Sequence, residues 1–295
     1  MVKLAMWAAL VSASLASSHD ATRVEIAPGV LMPYMNLGGV KSSPSNYSLW
    51  LQLGGRGLDT ALTYGDDIQR EVGQAVAASG LLRSEIFVTS KVPCCPNKKF
   101  CADNRTNATA DVETDLRLLG LDYADLILLH WTCDSVADAV NAYRALEDFA
   151  ISGKARAIGI SNFNASAIAA LYDAKLRVPP AVNQCGFSVG DHNWPPLGSD
   201  LETLATCRER GITYSAYSPL GGLSPADPLH NKEVLSIAAS HGKSAAQARA
   251  PARPAPSRSC QGVAHGSSVL HSLLHISIVM RRWRCAGWCS RASRP

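Results

Sequence analysis

A chain of 295 residues can bury a substantial core and falls within the range of one (β/α)₈ barrel, for which about 250 residues is typical. Its composition, 47% hydrophobic and 18% charged, excludes the disordered and fibrous classes. The formal charge of +4 misleads: residues 249–295 hold eight arginines and no acid, and without them the chain carries 20 basic against 24 acidic residues, with no clustered basic face for a nucleic acid.

In chain order, Lys3, the apolar run Leu4 to Leu15 and the small residues Ala16, Ser17 and Ser18 read as a secretory signal peptide over residues 1–18, which predicts a secreted protein. The rival is an uncleaved leader on a cytoplasmic enzyme, and the run is too short to span a bilayer. Sequons at Asn46, Asn104, Asn107 and Asn164 lend the secretory route weak support, Asn164 reading better as a helix start. Of nine cysteines, Cys94, Cys95 and Cys101 crowd one loop. In an oxidising compartment Cys101 could pair with Cys94 or Cys95, and in a reducing one the three are free thiols. A zinc site lacks a histidine at ligand spacing, and no metal is expected.

Between residues 55 and 220 the same pattern occurs six times: an apolar run of strand length stops at a polar residue. The stops are Asp59, Lys91, His130, Ser161, Gln184 and Tyr217, spaced 23 to 39 residues apart as βαβ units require. Helical periodicity fills the gaps at Ile68 to Ala78, Ala110 to Leu119, Val136 to Ile151, Ala165 to Asp173 and Leu201 to Arg210, with a further stretch from Asn231 to Gln247. Strands without polar alternation are covered on both faces, as in a parallel sheet. A doubly wound open sheet shows the same alternation, but the polar residue at each strand's carboxyl end favours a barrel, whose strand ends meet at one mouth. No Gly-x-Gly-x-x-Gly follows the first strand, which also argues against the open dinucleotide-binding sheet.

From Arg249 onward the chain has neither acid residues nor a recurring period, and Val269 to Met280 is apolar but broken by His271 and His275. This predicts a barrel over residues 22–248 and a basic tail over 249–295 that is disordered or non-native, a functional basic tail being the alternative.

Six segments together carry a resemblance to the aldo-keto reductase family. Gly55-Arg56-Gly57-Leu58-Asp59-Thr60-Ala61-Leu62-Thr63-Tyr64-Gly65, closing at Val72-Gly73, resembles the family's Asp and Tyr signature. Val88-Thr89-Ser90-Lys91 is similar to its lysine strand, and Leu128-Leu129-His130-Trp131 to its histidine strand. The run from Gly153 through Ser161, Asn162 and Phe163 resembles the segment that holds the nicotinamide amide, while Ala181-Val182-Asn183-Gln184 and Tyr217-Ser218-Pro219-Leu220-Gly221 resemble two further cofactor segments. The likeness runs from about residue 24 to about residue 248, in the family's order.

The resemblance implies a (β/α)₈ TIM barrel, incomplete here with about six of eight βα units recognisable and strands seven and eight missing. It implies NADPH-dependent reduction of a small carbonyl substrate, NAD remaining open, by a monomer. Hydride addition leaves negative charge on the carbonyl oxygen, so the site needs a proton donor, for which Tyr64 suits. Lys91 would lower the phenol's pKa, Asp59 would keep Lys91 ionised, and His130 would hydrogen-bond the carbonyl. Ser161, Asn162 and Gln184 would hold the carboxamide, Tyr217 would stack on the ring, Asp59, Ser218 and Leu220 would border the cofactor, and Trp131 would line the substrate mouth with Tyr64 and His130. Singly each residue has a bland reading, Tyr64 and Tyr217 as packing, Asp59, Ser161 and Asn162 as cap or turn, Lys91 as solvated edge and His130 as core; their joint occurrence at consecutive strand ends points to a site.

Two departures stand out. The family's Pro-Lys-Ser type loop beyond the seventh strand, with an arginine in the next helix, binds the adenosine 2′-phosphate, and neither is found in residues 249–295. Gly38-Gly39-Val40 lacks the tryptophan many members carry in the substrate pocket. A non-catalytic or truncated relative that at most binds nucleotide is the second reading.

Overall fold

The structure, a computed structural model, describes residues 22–39, 42–94, 107–188, 195–221, 228–249 and 276–280. A hairpin comes first, β1 (Arg23–Ala27) and β2 (Val30–Pro33), turned at Gly29 with φ 73°. Its apolar side chains Ile26, Val30 and Met32 pack against Phe87, Leu126 and Leu128, which belong to the barrel wall.

The barrel proper begins with β3 (Met35–Gly38), then α1 (Pro44–Gln52), β4 (Gly57–Asp59), α2 (Asp66–Ala78) and β5 (Phe87–Val92). It continues with α3 (Ala108–Leu119), β6 (Ala124–Leu129), α4 (Val136–Ile151), β7 (Ala155–Ser161), α5 (Ala165–Asp173) and β8 (Val182–Gly186). Then come α6 (Leu201–Glu209), β9 (Thr213–Tyr217), α7 (Lys232–Ser240) and α8 (Ala245–Arg249). Strands β3 to β9 pair in sequence, all parallel. A last strand, β10 (Ile276–Met280), pairs antiparallel with both β9 and β3 and closes the ring.

The fold is therefore a (β/α)₈ barrel that is incomplete in its eighth unit, where an antiparallel strand satisfies the backbone edges that β3 and β9 would otherwise leave open. Two expectations need correction. The six strand runs are the second to seventh strands of the barrel, so strand seven is present; the first, β3, has only four residues and contains Asn36 and Gly38, too short and mixed to stand out. The basic tail is not wholly without structure, since five of its residues form β10. Helix α1 was not among the expected helices, and the stretch from Asn231 to Gln247 breaks into α7 and α8, Gly242 taking φ 60° between them.

Period-two alternation makes each strand two-faced. Leu37, Leu58 and Val88 face outward and pack with Tyr47, Leu51, Val72 and Val76 of α1 and α2, which turns the intervening Asp59 and Thr89 toward the barrel interior. Helix starts are fixed by side-chain caps: Asn107, Ser135, Asn164, Asp200 and Asn231 each accept a backbone N–H of the first turn. Among the described residues no helix is long and apolar enough to cross a membrane.

Helices α2 and α3 meet at Gly73, where a β-carbon would run into the carbonyl group of Leu119, a backbone atom that cannot rotate away. Gly73→Ala is expected to lower stability by about 1–3 kcal/mol, the usual cost of overpacking, read as a fall of several degrees in the thermal midpoint. An unchanged midpoint would show that the two helices can separate freely there.

Candidate active site

Asp59 ends β4 and Lys91 lies one residue from the end of β5, so neighbouring parallel strands deliver opposite charges to the same mouth. Both are almost fully buried, at 5% and 1% exposure. Lys91 Nζ donates to Asp59 Oδ1 at 2.5 Å and to the carbonyl of Thr60 at 2.9 Å. The other Asp59 oxygen, Oδ2, accepts from Gln184 Nε2 at 2.6 Å, so one carboxylate ties the lysine to the far side of the barrel.

Tyr64 lies on the single turn of 3-10 helix, Leu62–Tyr64, that follows β4, with its ring centre 5.3 Å from Lys91 Nζ. Its ring meets His130 edge-on with centroids 5.8 Å apart, and His130 stacks on Trp131 at 5.2 Å. The structure thus brings Asp59, Tyr64, Lys91 and His130 together, with Trp131 beside them.

Electrostatics refine the expected roles. Burial pulls the Lys91 ammonium down, but Asp59, Tyr64 and the hydrogen bonds to both push it up by more, so it stays charged. Burial raises the Tyr64 phenol, Lys91 lowers it by charge and hydrogen bond, and Asp59 raises it; the net direction is up. Lys91 lowers this phenol as expected, but loss of hydration outweighs the cation and leaves it above its ordinary value of about 10. The group is a neutral phenol at physiological pH. Burial, and then the Lys91 charge, hold the His130 imidazole well below its usual range, so it is neutral too.

A residue that sequence reading passed over acts on this histidine. Thr63 Oγ1 lies 3.0 Å from His130 Nδ1. A neutral imidazole that accepts the threonine proton at Nδ1 carries its own proton on Nε2, the nitrogen left to donate. The signal was a hydroxyl next to Tyr64, which no spacing rule links to a position 67 residues on.

Across the mouth, Ser161 and Asn162 follow from β7 and Gln184 and Tyr217 from β8 and β9. Asn162 sits in the left-handed region at φ 62°, a conformation asparagine tolerates, and its backbone N–H donates to Gln184 O at 2.9 Å. Its Nδ2 donates to His130 O at 3.0 Å and to Ser161 Oγ at 3.1 Å; its Oδ1 accepts from the Tyr217 hydroxyl at 2.9 Å. Ser161 Oγ donates to Gln184 O at 2.7 Å. The Tyr217 ring lies against Gly186, where a β-carbon would be 3.2 Å from three of its atoms. Ser218, at φ 51°, bends the chain away from β9 and accepts from the N–H of Gly221 at 3.0 Å, with Leu220 buried between them. Ser161, Asn162, Gln184, Tyr217, Ser218 and Leu220 therefore gather on one side of the mouth, and Asp59, also expected at the cofactor, faces them from β4.

Cys94 is bonded to Cys133, with Cα atoms 5.3 Å apart. This overturns the Cys94–Cys101 alternative of the expected clasp: Cys94 reaches across to the loop after β6, three residues beyond His130, because β5 and β6 are adjacent strands. Cys95 and Cys101 lie outside the described residues. Among the described residues no group of three or more His, Cys, Asp or Glu could hold a metal ion.

The profile of the "Aldo/keto reductase family" matches residues 47–248. The chain belongs to the aldo/keto reductase family. It is 37% identical over 222 residues to an aldo-keto reductase of Mycobacterium tuberculosis, covering 73% of this chain and 71% of the relative. It is 33% identical over 238 residues to morphine 6-dehydrogenase of Pseudomonas putida, covering 76% and 75%. Among solved structures, an aldo-keto reductase from a Medee basin deep-sea metagenome library superposes with a TM-score of 0.64 at 32% identity, over 74% of this chain and 75% of that one. A Bombyx mori aldo-keto reductase in complex with NADP gives 0.63 at 26%, over 77% and 78%.

In this aldo/keto reductase, nitrogen-detected NMR is expected to find His130 neutral, with its proton on Nε2, at about pH 6, below the ordinary imidazole pKa of about 6.5. Thr63→Val should remove the tautomer preference. A doubly protonated imidazole at that pH would contradict the arrangement.

Proposed function

We propose that this chain reduces aldehydes or ketones to alcohols, taking a hydride from NADPH, with Tyr64 as the proton donor. The observation that carries the reading is the buried Asp59–Lys91 pair beneath the Tyr64 ring, with neutral His130 at its edge. Membership of the family and the NADP complex of the Bombyx mori relative support it.

The residues at the mouth fit the nicotinamide end of such a cofactor. Asn162, Ser161 and Gln184 form a buried, pre-bonded array of amide and hydroxyl groups, and Asn162 Oδ1 keeps a lone pair beyond the one given to Tyr217, which suits a carboxamide N–H. Tyr217, half-buried at the rim, offers an aromatic face, with Ser218 and Leu220 bordering it. When bound, the cofactor supplies the hydride.

His130 donates from Nε2 to the carbonyl oxygen of the substrate and fixes its direction. Tyr64 gives its proton to that oxygen as negative charge develops there, and Lys91 stabilises the phenolate left behind. Asp59 holds the ammonium in place. Trp131, stacked on His130, forms a wall of the substrate mouth. We further read the protein as one of the secretory pathway, which the leader and the Cys94–Cys133 bond support.

The test is to titrate NADPH by fluorescence quenching and follow its oxidation with an aromatic aldehyde. Turnover is expected, flat through neutral pH and falling only in the alkaline range where the Tyr64 phenol ionises. Tyr64→Phe should keep NADPH binding and lose about 10²–10⁴-fold in kcat. Binding without turnover would favour the nucleotide-binding reading, and absence of binding would defeat both.

A further inference from the structure

The strands that bring Asp59 and Lys91 inward turn their neighbours, Thr60 and Ser90, to the outside of the barrel. That outer surface is otherwise the apolar seam against α2 and α3. Yet Thr60, Ser90, Gln69 and Asp115 are all fully buried there, each at 0% exposure. Four polar groups in such a seam cost stability unless their hydrogen bonds are met.

Three hydrogen bonds join them. Thr60 Oγ1 donates to Gln69 Oε1, Gln69 Nε2 donates to Asp115 Oδ1, and the same nitrogen donates to Ser90 Oγ at 3.2 Å. Gln69 thus spans the outer side of the two strands whose inner side carries the ion pair. The order of the bonds is directed. Asp115 Oδ1 accepts from the amide nitrogen of Gln69, which leaves the amide oxygen facing Thr60, whose hydroxyl donates to it. The Thr60 carbonyl accepts from the Lys91 ammonium at 2.9 Å. Gln69 also lies in the first turns of α2, its own N–H donating to Gly65 O at 3.2 Å, directly after Tyr64.

We propose that Gln69, oriented by Asp115, is a positioning residue for the Tyr64–Lys91 pair: it locks the Thr60 carbonyl, and so the ammonium, in place beneath the phenol. The inference rests on the reading of Tyr64 as proton donor. Gln69 touches neither substrate nor cofactor in that reading and acts through Thr60. A looser ammonium stabilises the phenolate less, so removing the clamp moves the ionisation of Tyr64 to higher pH.

The experiment compares Gln69→Leu and Thr60→Val, a near-isosteric change that cuts only the link between Gln69 and Thr60, with Thr60→Ser as the rescue. The Tyr64 titration is read from the ultraviolet phenolate band as the difference between each protein and its Tyr64→Phe counterpart, which needs no turnover. Both disrupting variants should shift that titration upward in pH, and Thr60→Ser should restore it. In aldehyde reduction, kcat should fall about tenfold to a hundredfold with little change in NADPH affinity, since the cofactor-side residues stand on β7, β8 and β9. If Gln69→Leu does not fold, Thr60→Val decides. A folded Thr60→Val with the parent titration and kcat overturns the inference, as does a fall in thermal midpoint with no shift in titration. If the parent protein binds NADPH but turns nothing over, the reading of Tyr64 as proton donor fails, and the titration still tests the clamp.

Discussion

The structure is organised around a charge that has been taken out of water. Lys91 is buried inside a barrel wall of aliphatic strands, and an ammonium there would lose its proton without a partner. Asp59 supplies that partner from the adjacent strand, and Gln184 completes the carboxylate from the opposite wall. Removing one member of such a pair costs about 3–5 kcal/mol, because the other is left buried and uncompensated. Placement of the phenol and the amide network follows from where this pair sits, since Tyr64 bonds Lys91 and Gln184 bonds Asp59, while the imidazole meets the edge of that phenol.

The parallel arrangement explains why so few local rules are needed. Strand ends that point the same way deliver residues distant in sequence to one rim, and two-residue alternation decides which of them face inward. The eighth position can then be filled by an antiparallel strand without disturbing the mouth, because the residues of the site stand on β4 to β9 and their following loops. The closing strand supplies backbone partners to β3 and β9 and no part of the tetrad.

Much of this was legible in the sequence, for identifiable reasons. Asp59, Lys91, His130, Ser161, Gln184 and Tyr217 announce themselves because each ends an apolar run, and the run fixes the strand within two residues. Tyr64 was legible only through its motif, lying on a turn with no periodicity of its own. Residues acting through space without a fixed offset were not legible: Thr63 on His130, Gln69 on Thr60 and Ser90, Cys94 with Cys133. The direction of the Tyr64 shift was also out of reach, since burial competes with the lysine and only the packed barrel determines which is larger. β3 and β10 escaped because one mixes Asn36 and Gly38 into its four residues and the other lies in a segment without period.

The most direct test of this account is a double-mutant cycle on the ion pair, with unfolding free energies of Asp59→Asn, Lys91→Met and the double variant measured by urea denaturation. The account predicts that each single change is strongly destabilising and that the double variant loses far less than the two losses combined, because neither buried charge is then left alone. Additive losses would mean that the two groups do not depend on each other, and the central interaction would be wrong.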